Sequence, residues 1–597
     1  MGGGGGYDRG LETGLEMSGA YPMLAVMGAQ VLLFGLVPAW ALARRNWKDA
    51  GEWGFAALVA GVSSAALLGR LCNGRGMGVE GVGGIWLALW IVAGGVSRKS
   101  RALALPRLDW ILAGVLLLAW IVRSIHPLQT WALGQSDAYS HLGFLMDVLA
   151  RGELANADYP PAYAWVMAFP AWLWRGHAYW VARFGGAFFG AGLVLGTHAL
   201  VSQWKGRTAG LAAAALVAGC PVFFLLQKTG VGSFANQLGL LLIPAALWAF
   251  ASKRFGWLAL ALAALMVSVP MMVLHVVLLL GLWTLAEIRD RRMLAGLALL
   301  LAAAGLGVLA LAMTMPPARG MVIASMLTGD YSLAKEAGAG WGDVFRALAA
   351  DFFSFKRMGY GSWALNGSSI GVAAMFAAAL AWGVRRKEAG WKRVGIWGLL
   401  TSVNLHMGWL QFTDYQREGW SFLLALACLG GLAFDGMWRW RESRRWRRAW
   451  AFALALAGLA GLAVFPAHSV LAGPGESDIV EYLLRLDADV TVLARRMSTF
   501  PSGQGDVVRT LHPRVIHEVE DLGLLNGAVH FLRDRPPETP EIPLAMRLLQ
   551  PRQIRTMERF CAQAESETLR LEDGLAGRRA SVKQISDHLD IWILETD

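Results

Sequence analysis

The sequence predicts a polytopic α-helical membrane protein with about fourteen spans and a small external α+β domain at its C-terminal end. Of the 597 residues, 56% are hydrophobic and only 16% are charged, and the mean hydropathy is +0.44. A soluble protein carries closer to about a quarter charged residues. The apolar residues also fall in blocks of about 16 to 25, the length of a helix that crosses a bilayer core. Lipid offers the backbone no hydrogen-bond partner, so these blocks are expected to be helices.

The spans are expected to start where each apolar block follows a polar or basic stretch. Pro270 interrupts the apolar stretch from Gly256 to Ala286, which is therefore read as two spans. The expected starts lie near Tyr21, Trp53, Gly81, Trp110, Tyr179, Thr208, Asn236, Gly256, Met271, Met293, Ser368, Val394, Gly419 and Ala449.

Basic residues gather in alternate loops, and this pattern sets the orientation. The clusters are Arg44, Arg45 and Lys48; Arg98, Lys99, Arg101 and Arg107; Lys205 and Arg207; Lys253 and Arg254; Arg289, Arg291 and Arg292; Arg385, Arg386, Lys387, Lys392 and Arg393; and Arg439, Arg441, Arg444, Arg445, Arg447 and Arg448. They all fall on one side only if Gly256 to Ala286 crosses twice, and the positive-inside rule makes that side cytoplasmic. The net charge of +11 thus reflects topology and anionic lipid headgroups, and it does not indicate nucleic-acid binding.

Three segments follow from this topology, in a multi-pass protein of the inner (plasma) membrane with both termini extracytoplasmic. Residues 1–109 contain extra N-terminal spans, residues 110–466 contain the remaining spans, and residues 467–597 form an external soluble domain large enough for its own core. External loops are expected at 124–177 and 316–367. Within the tail, a helix is expected from Ile479 to Arg496 and a strand from Ile591 to Leu594.

The first external loop contains the most informative polar cluster. It reads GQSDAYSH from Gly134 to His141 and continues with Leu142, Leu145, Met146 and Leu149 at helical spacing. This pattern predicts an amphipathic helix at the outer membrane interface. Asp137 and His141 stand one turn apart at its start.

Two interpretations of Asp137 are open. It could simply cap the helix, since Asp is a favoured N-cap residue. Alternatively, a carboxylate held at the membrane surface beside Tyr139 and His141 is well placed to act as a general base.

These residues resemble the GT-C superfamily, a group of polytopic glycosyltransferases that use polyprenyl-phosphate-linked sugars. The resemblance rests on the Asp137–His141 cluster after a span, the helix that follows and the "YPP" motif that Tyr159 opens. It extends to "WVARFGGAFFGAGLVLGTHALVSQWKGR" at 180–207 and "YQREGWSFLLALACLGGLAF" at 415–434. It covers roughly residues 110 to 465, which it marks as the catalytic region.

The resemblance implies a role for particular residues. Asp137 matches the catalytic carboxylate of the first loop, which would deprotonate the acceptor hydroxyl, with Tyr139 and His141 beside it. Arg417 matches the late external basic residue that would hold the lipid phosphate, although it could equally be a span-end charge that reaches the interface. Position 139 is Tyr, so the loop lacks an Asp-x-Asp pair, and a divalent metal is possible but not favoured.

Three further residues are expected to bind substrate. Lys228 lies in a Gly-rich external turn whose backbone could approach a phosphate, or which is merely flexible. His275 follows Pro270 at the depth of the outer leaflet, where a polar group is costly and often functional, unless it is a hydrogen-bonded packing residue. Tyr159 is counted with them because it opens the "YPP" motif.

The predicted function is an integral membrane glycosyltransferase that inverts the transferred sugar, a hexose or a pentose. Its partners would be a polyprenyl-phosphate sugar donor, a glycan, lipid or protein acceptor, and membrane lipids. The alternatives are a transporter or flippase for lipid-linked glycans, and a polymerase subunit or scaffold that uses the tail to bind a partner. A transporter would be expected to have charges near span centres and internal repeats.

Overall fold

A computed structural model gives the fold of this chain. It describes residues 20–42, 47–97, 109–129, 131, 133, 136–154, 160–174, 178–219, 234–287, 367–407, 415–440, 474–487, 489–494, 511, 514–516, 529–534, 566, 569–576, 578, 580–586 and 589–594.

The described part of residues 20–440 is helical. A helix begins within five residues of each expected span start that falls on described residues, whereas the spans expected near Met293 and Ala449 lie outside them. The helices are α1 Ala20–Gln30, which continues through a π-helical stretch at Val31–Leu36 into α2 Val37–Leu42; α3 Ala50–Cys72; α4 Val79–Ser97; α5 Trp110–Gln129; α6 Ser136–Arg151; α7 Ala162–Trp174; α8 Ala178–Lys205; α9 Arg207–Gly219; α10 Phe234–Ala251; α11 Phe255–Ser268; α12 Pro270–Ala286; α13 Gly367–Arg386; α14 Ala389–Met407; and α15 Tyr415–Trp440.

Within the described ranges, four helical stretches are long and apolar enough to cross a membrane by length and composition. They are Tyr21–Leu42, Ala50–Cys72, Ala178–Lys205 and Ser421–Trp438. Six shorter apolar helices accompany them. The bundle is held together by large buried side chains, among them Trp86, Trp165, Trp248, Trp283 and Trp397.

Ion pairs join the loops that carry the basic clusters, and these loops define one end of the bundle, called here the basic end. Side chains that are far apart in the sequence meet there because successive loops return to the same end. The pairs are Glu52–Arg254 at 3.2 Å, Asp109–Arg207 at 2.9 Å, Lys205–Glu388, and Glu287–Arg393 at 2.7 and 2.8 Å.

A second set of contacts joins the other loops at the opposite end. The Asn73 side-chain oxygen accepts hydrogen bonds from the Leu154 N–H at 3.3 Å and from the Trp165 indole at 3.2 Å. Gly152 has a positive φ of 71°, and a Cβ there would lie 2.2 Å from the Met77 carbonyl oxygen, so only glycine fits. The alternate loops therefore lie at opposite ends of the bundle.

The stretch around Pro270 forms two helices that reverse direction. Arg254 precedes α11 and Glu287 follows α12, and both residues make ion pairs at the basic end. Pro270 stands at the start of α12, where its missing N–H costs nothing. The chain thus leaves the basic end through α11 and returns to it through α12.

Helix α7 is a buried helix within residues 124–177, the segment that the sequence predicts to be an external loop with an interfacial helix. Its residues from Ala162 to Ala171 are all buried. Trp165 packs against Gly69, where a Cβ would lie 2.4 Å from the indole, and the Phe169 ring lies 5.8 Å from the Trp86 ring. At thirteen residues, about 20 Å long, α7 is too short to register as a span, so hydropathy alone misses it.

The described tail residues form one helix and a mixed five-stranded sheet. Helix α16 is Pro474–Arg485, and the strands are β1 Thr491–Leu493, β2 Val515–Ile516, β3 Val529–Asp534, β4 Ala580–Ser586 and β5 Leu589–Leu594. The order is β2-β1-β3-β5-β4; β1 pairs in parallel with β2 and β3, whereas β5 pairs antiparallel with β3 and β4.

The predicted C-terminal strand is confirmed, but the helix predicted to reach Arg496 ends at Arg485. Residues 491–493 are instead a buried strand, because β-branched Thr491 and Val492 pack well in a sheet between two parallel neighbours. Ile479, Val480, Leu483 and Leu484 of α16 belong to the same apolar cluster as the bundle core.

Asp109 offers a test of how the basic end is stabilised. Its carboxylate accepts from the N–H groups of Ile111 and Leu112 at the start of α5 and pairs with Arg207. We expect Asp109→Asn, which keeps the cap but loses the charge, to reduce the free energy of unfolding by about 0.5–1 kcal/mol. Asp109→Ala loses the cap as well, and should cost about 1 kcal/mol more. Both values can be measured by denaturation in detergent.

The salt and pH dependence of the same variants separates the two effects. Arg207 lowers the pKa of Asp109 from 3.8 to about 2, so this stabilisation is present above pH 3.8 and is lost as the pH falls towards 2. Because Arg207 is 56% exposed, about 1 M salt should shrink the difference between wild type and Asp109→Asn. It should leave the difference between the Asn and Ala variants unchanged; a change in that difference would contradict the capping role.

Candidate functional site

Helix α6 has the amphipathic character that the sequence predicts. Leu142 and Leu145 are buried, and Met146 and Leu149 are partly buried, on the face that packs against α7 and α8. The other face is polar, with an ion pair between Asp147 and Arg151 that is largely open to solvent. The helix begins close to the end of α5, so its first turn belongs to the opposite end of the bundle.

Asp137 lies in the first turn of α6, directly after Ser136. Free N–H groups and the helix dipole favour a negative charge at this position. The backbone therefore suits a carboxylate, whether it stabilises the helix or serves as a base. The side chain of Asp137 lies outside the described residues.

Tyr139 is fully buried, two residues further along α6. Its hydroxyl oxygen accepts a hydrogen bond from the Leu133 N–H at 3.1 Å. Tyr139 thus ties the connection between α5 and α6, residues 130–135, to the first turns of α6. This contact gives Tyr139 a structural task beside the predicted catalytic one.

His141 is 5% exposed and packs among aromatic rings. Its ring lies 5.3 Å from the Tyr163 ring of α7 and 6.0 Å from the Phe144 ring, both in edge-on contacts. Burial lowers the pKa of His141 to about 3, so the imidazole is neutral at physiological pH. It therefore brings no positive charge to the start of α6.

His275 belongs to a buried hydrogen-bond chain across three helices. The Trp397 indole donates to the Ser421 hydroxyl at 2.9 Å, and the Ser421 hydroxyl lies 2.8 Å from His275 Nε2. The Ser421 hydroxyl either donates to His275 Nε2 or accepts from it, according to the imidazole tautomer. This arrangement agrees with the interpretation of His275 as a hydrogen-bonded packing residue.

Arg417 lies in the first turn of α15, one helical turn before Ser421. The bond from Ser421 to His275 therefore brings α12 close to the segment of α15 that carries Arg417. The helix that carries Arg417 begins at the end of the bundle opposite to the basic end, and so does the helix that carries Asp137. The side chain of Arg417 lies outside the described residues, as do Lys228 and Tyr159.

Two buried arginines were not placed in the site by sequence reasoning. Arg123 of α5 is 1% exposed and Arg183 of α8 is 8% exposed. A charged residue inside an apolar block is costly and often functional, which is the signal that could have singled them out. The sequence shows few charges within the expected spans, with Arg183 near a span end as the clearest exception, and the structure adds buried Arg123 on a neighbouring helix.

The expectation of no resident metal stays a prediction. In the described ranges, no three His, Cys, Asp or Glu side chains converge as a metal site would require. Asp137, whose side chain is not described, lies outside that search.

The buried imidazole gives a pH prediction. Because its pKa falls from 6.5 to about 3, the stability associated with neutral His141 is complete above pH 6.5 and declines as the pH falls towards 3. Between pH 7.5 and pH 5 the loss should approach about 2 kcal/mol. His141→Phe should remove that part of the pH dependence, as measured by thermal unfolding in detergent.

Phe144→Leu is the matched control for His141→Phe. It removes a ring that touches His141 but no titratable group, and it should lower the stability equally at pH 7.5 and pH 5. An unchanged pH dependence in His141→Phe would show that the imidazole is not held neutral by burial.

Comparison with known proteins gives structural neighbours only. No protein-family model matches the chain, and no curated protein matches it in sequence. The archaeal oligosaccharyltransferase AglB from Archaeoglobus fulgidus, in complex with an inhibitory peptide and a dolichol-phosphate, is 12% identical; the alignment covers 79% of this chain and 73% of that one, with a TM-score of 0.43.

Two further solved structures are similar. The A. fulgidus oligosaccharyltransferase in complex with Zn and sulfate is 14% identical, over 68% of this chain and 62% of that one, with a TM-score of 0.41. ArnT from Cupriavidus metallidurans, bound to undecaprenyl phosphate, is 15% identical, over 81% of this chain and 97% of that one, with a TM-score of 0.33.

Proposed function

We propose that this chain is a membrane glycosyltransferase that moves a sugar from a polyprenyl-phosphate-linked donor to an acceptor at the extracytoplasmic face. One observation carries the proposal. Asp137 and Arg417 lie in the first turns of their helices, and both helices start at the end of the bundle opposite to the basic end. The positive-inside rule makes that end extracytoplasmic. Cytosolic nucleotide sugars are absent there, so the donor has to be carried by a lipid.

The reaction is a direct displacement. An acceptor hydroxyl oxygen attacks the anomeric carbon, the bond from that carbon to the phosphate oxygen breaks, and Asp137 takes the hydroxyl proton. Attack from the side opposite to the leaving group inverts the anomeric centre. The leaving polyprenyl phosphate gains negative charge, which Arg417 and Lys228 stabilise.

Arg417 and Lys228 would stabilise the leaving phosphate in different ways. The guanidinium of Arg417 can bind two phosphate oxygens at once, whereas Lys228 acts as a point charge in a Gly-rich turn. We favour a mechanism without a metal step, because Tyr139 stands where an Asp-x-Asp pair would have its second carboxylate. The acceptor is a glycan, a lipid or a protein.

Replacing Asp137 tests the base. Asp137→Asn keeps the size of the side chain but cannot accept the proton, so kcat should fall by about 10²–10⁴. The measurement is transfer of labelled sugar from a polyprenyl-phosphate donor by purified protein in nanodiscs. Asp147→Asn is the matched control, since Asp147 lies on the same helix in a largely exposed pair with Arg151, and it should keep wild-type activity. Normal transfer by Asp137→Asn would refute the assignment.

Replacing Arg417 tests the phosphate contact. Arg417→Ala loses a charged hydrogen-bond donor, so the KM for the donor should rise roughly 10- to 100-fold. Arg386→Ala, which removes an exposed arginine at the basic end, should leave the KM unchanged. The assignment fails if both variants have the same donor KM as the wild type.

A further inference from the structure

Arg183 lies within a cage of aromatic rings near the start of α8. The centre of its guanidinium lies 4.6 Å from the centre of the Trp131 ring, 5.2 Å from that of Trp180 and 5.4 Å from that of Phe184. Rings at these distances attract a cation through their negative faces, most strongly when water is excluded. The cage therefore offsets part of the cost of burying the charge.

The partners of Arg183 belong to the connection between α5 and α6. Its Nε–H donates to the Pro127 carbonyl at 2.7 Å, one of the last carbonyls of α5, which have no partner within the helix. Trp131, which stacks on the guanidinium, is the first described residue after α5. Arg183 thus holds the end of α5 through Pro127 and the connection through Trp131.

Two tyrosines hold the same connection from either side. The Tyr179 hydroxyl, one turn before Arg183 on α8, hydrogen-bonds the Trp131 carbonyl. The Tyr139 hydroxyl accepts from the Leu133 N–H at 3.1 Å. Trp131 is therefore held by α8 and Leu133 by α6, and both precede the turn that carries Asp137.

The charge of Arg183 has no ion-pair partner among the described residues. Glu481 of α16 lies within electrostatic range but not within ion-pair distance, and the Nη1 atom has no hydrogen-bond partner in that set. A neutral donor could hold the Pro127 carbonyl equally well. A buried guanidinium is costly enough that a purely packing role does not explain it.

We propose that Arg183 is a positioning residue of the active site: it holds Pro127 at the end of α5 and Trp131 just after it, and thereby fixes the first turn of α6 with Asp137. The proposal rests on the glycosyltransferase function. Asp137 has to stay within a fraction of an ångström of its productive place, because an error of about 1 Å costs roughly 10²-fold in rate.

Kinetics of two variants test this role. Arg183→Met removes the charge and the donor, and Arg183→Lys keeps the charge but loses the planar group that stacks on Trp131. Both should lower kcat roughly 10- to 100-fold with little change in the donor KM. A raised donor KM in Arg183→Met that Arg183→Lys restores would overturn the proposal, since a lysine can replace arginine in binding a phosphate.

A double-mutant cycle supplies the second test. If Arg183 acts through Trp131, then Trp131→Ala should lower kcat in the same way, and adding Arg183→Met should lower it little further. Trp131→Phe, which keeps a ring face for the cation, should retain most of the activity. Fully multiplicative losses in the double variant would contradict a shared role.

Hydrogen exchange measures the positioning without any assay of transfer. In Arg183→Met, the amides of residues 130–139 should exchange at least tenfold faster than in the wild type. Arg393→Met is the matched control: Arg393 is a buried arginine at the basic end, where it pairs with Glu287 and contacts the Trp283 ring. It should leave exchange in residues 130–139 unchanged.

The outcomes separate this inference from the proposed function. If wild-type protein transfers no sugar but Arg183→Met still loosens residues 130–139, the function fails and the positioning of the connection stands. If wild-type protein transfers sugar and Arg183→Met retains normal kcat or normal exchange, the function stands and the role of Arg183 is overturned.

Discussion

Polar groups cost free energy inside a bilayer, so they are best placed at the two ends of the helix bundle. The arrangement of this protein depends on that constraint. Backbone groups in lipid are satisfied within helices, so loops and charges collect at the ends. At the basic end the collected charges pair with one another, as Glu287 does with Arg393. These pairs connect helices that are distant in sequence.

Aromatic packing stabilises the opposite end, whereas ion pairs stabilise the basic end. Helix α7, buried along almost its whole length, supports α6 from behind, and Tyr163 of α7 receives His141. The connection between α5 and α6 is held by Tyr139, Tyr179 and Arg183. Rigid neighbours of this kind position a functional group more accurately than a free loop would.

Sequence reasoning reached the large features because they follow from composition. Apolar block length predicted where helices begin, and the basic clusters predicted that Gly256 to Ala286 turns back at Pro270. The features that sequence reasoning missed depend on distant neighbours. His141 is neutral because Tyr163, from another helix, covers it, and Arg183 meets Pro127 across 56 residues of chain. The sequence did not predict helix α7, because thirteen residues are too few for a membrane span.

The polar residues at the start of α6 have different roles, which their neighbours in the structure reveal. His141 is neutral and packed, and the Tyr139 hydroxyl accepts from the connection, so neither residue supplies charge. Among the described residues around this turn, Arg183 carries the buried positive charge. In the proposed reaction the base is negatively charged before it takes the proton, and negative charge then develops on the leaving phosphate. A guanidinium held by rings and a carbonyl can keep its charge without cancelling it in an ion pair, and this explains why an arginine, and not a neutral donor, holds the connection.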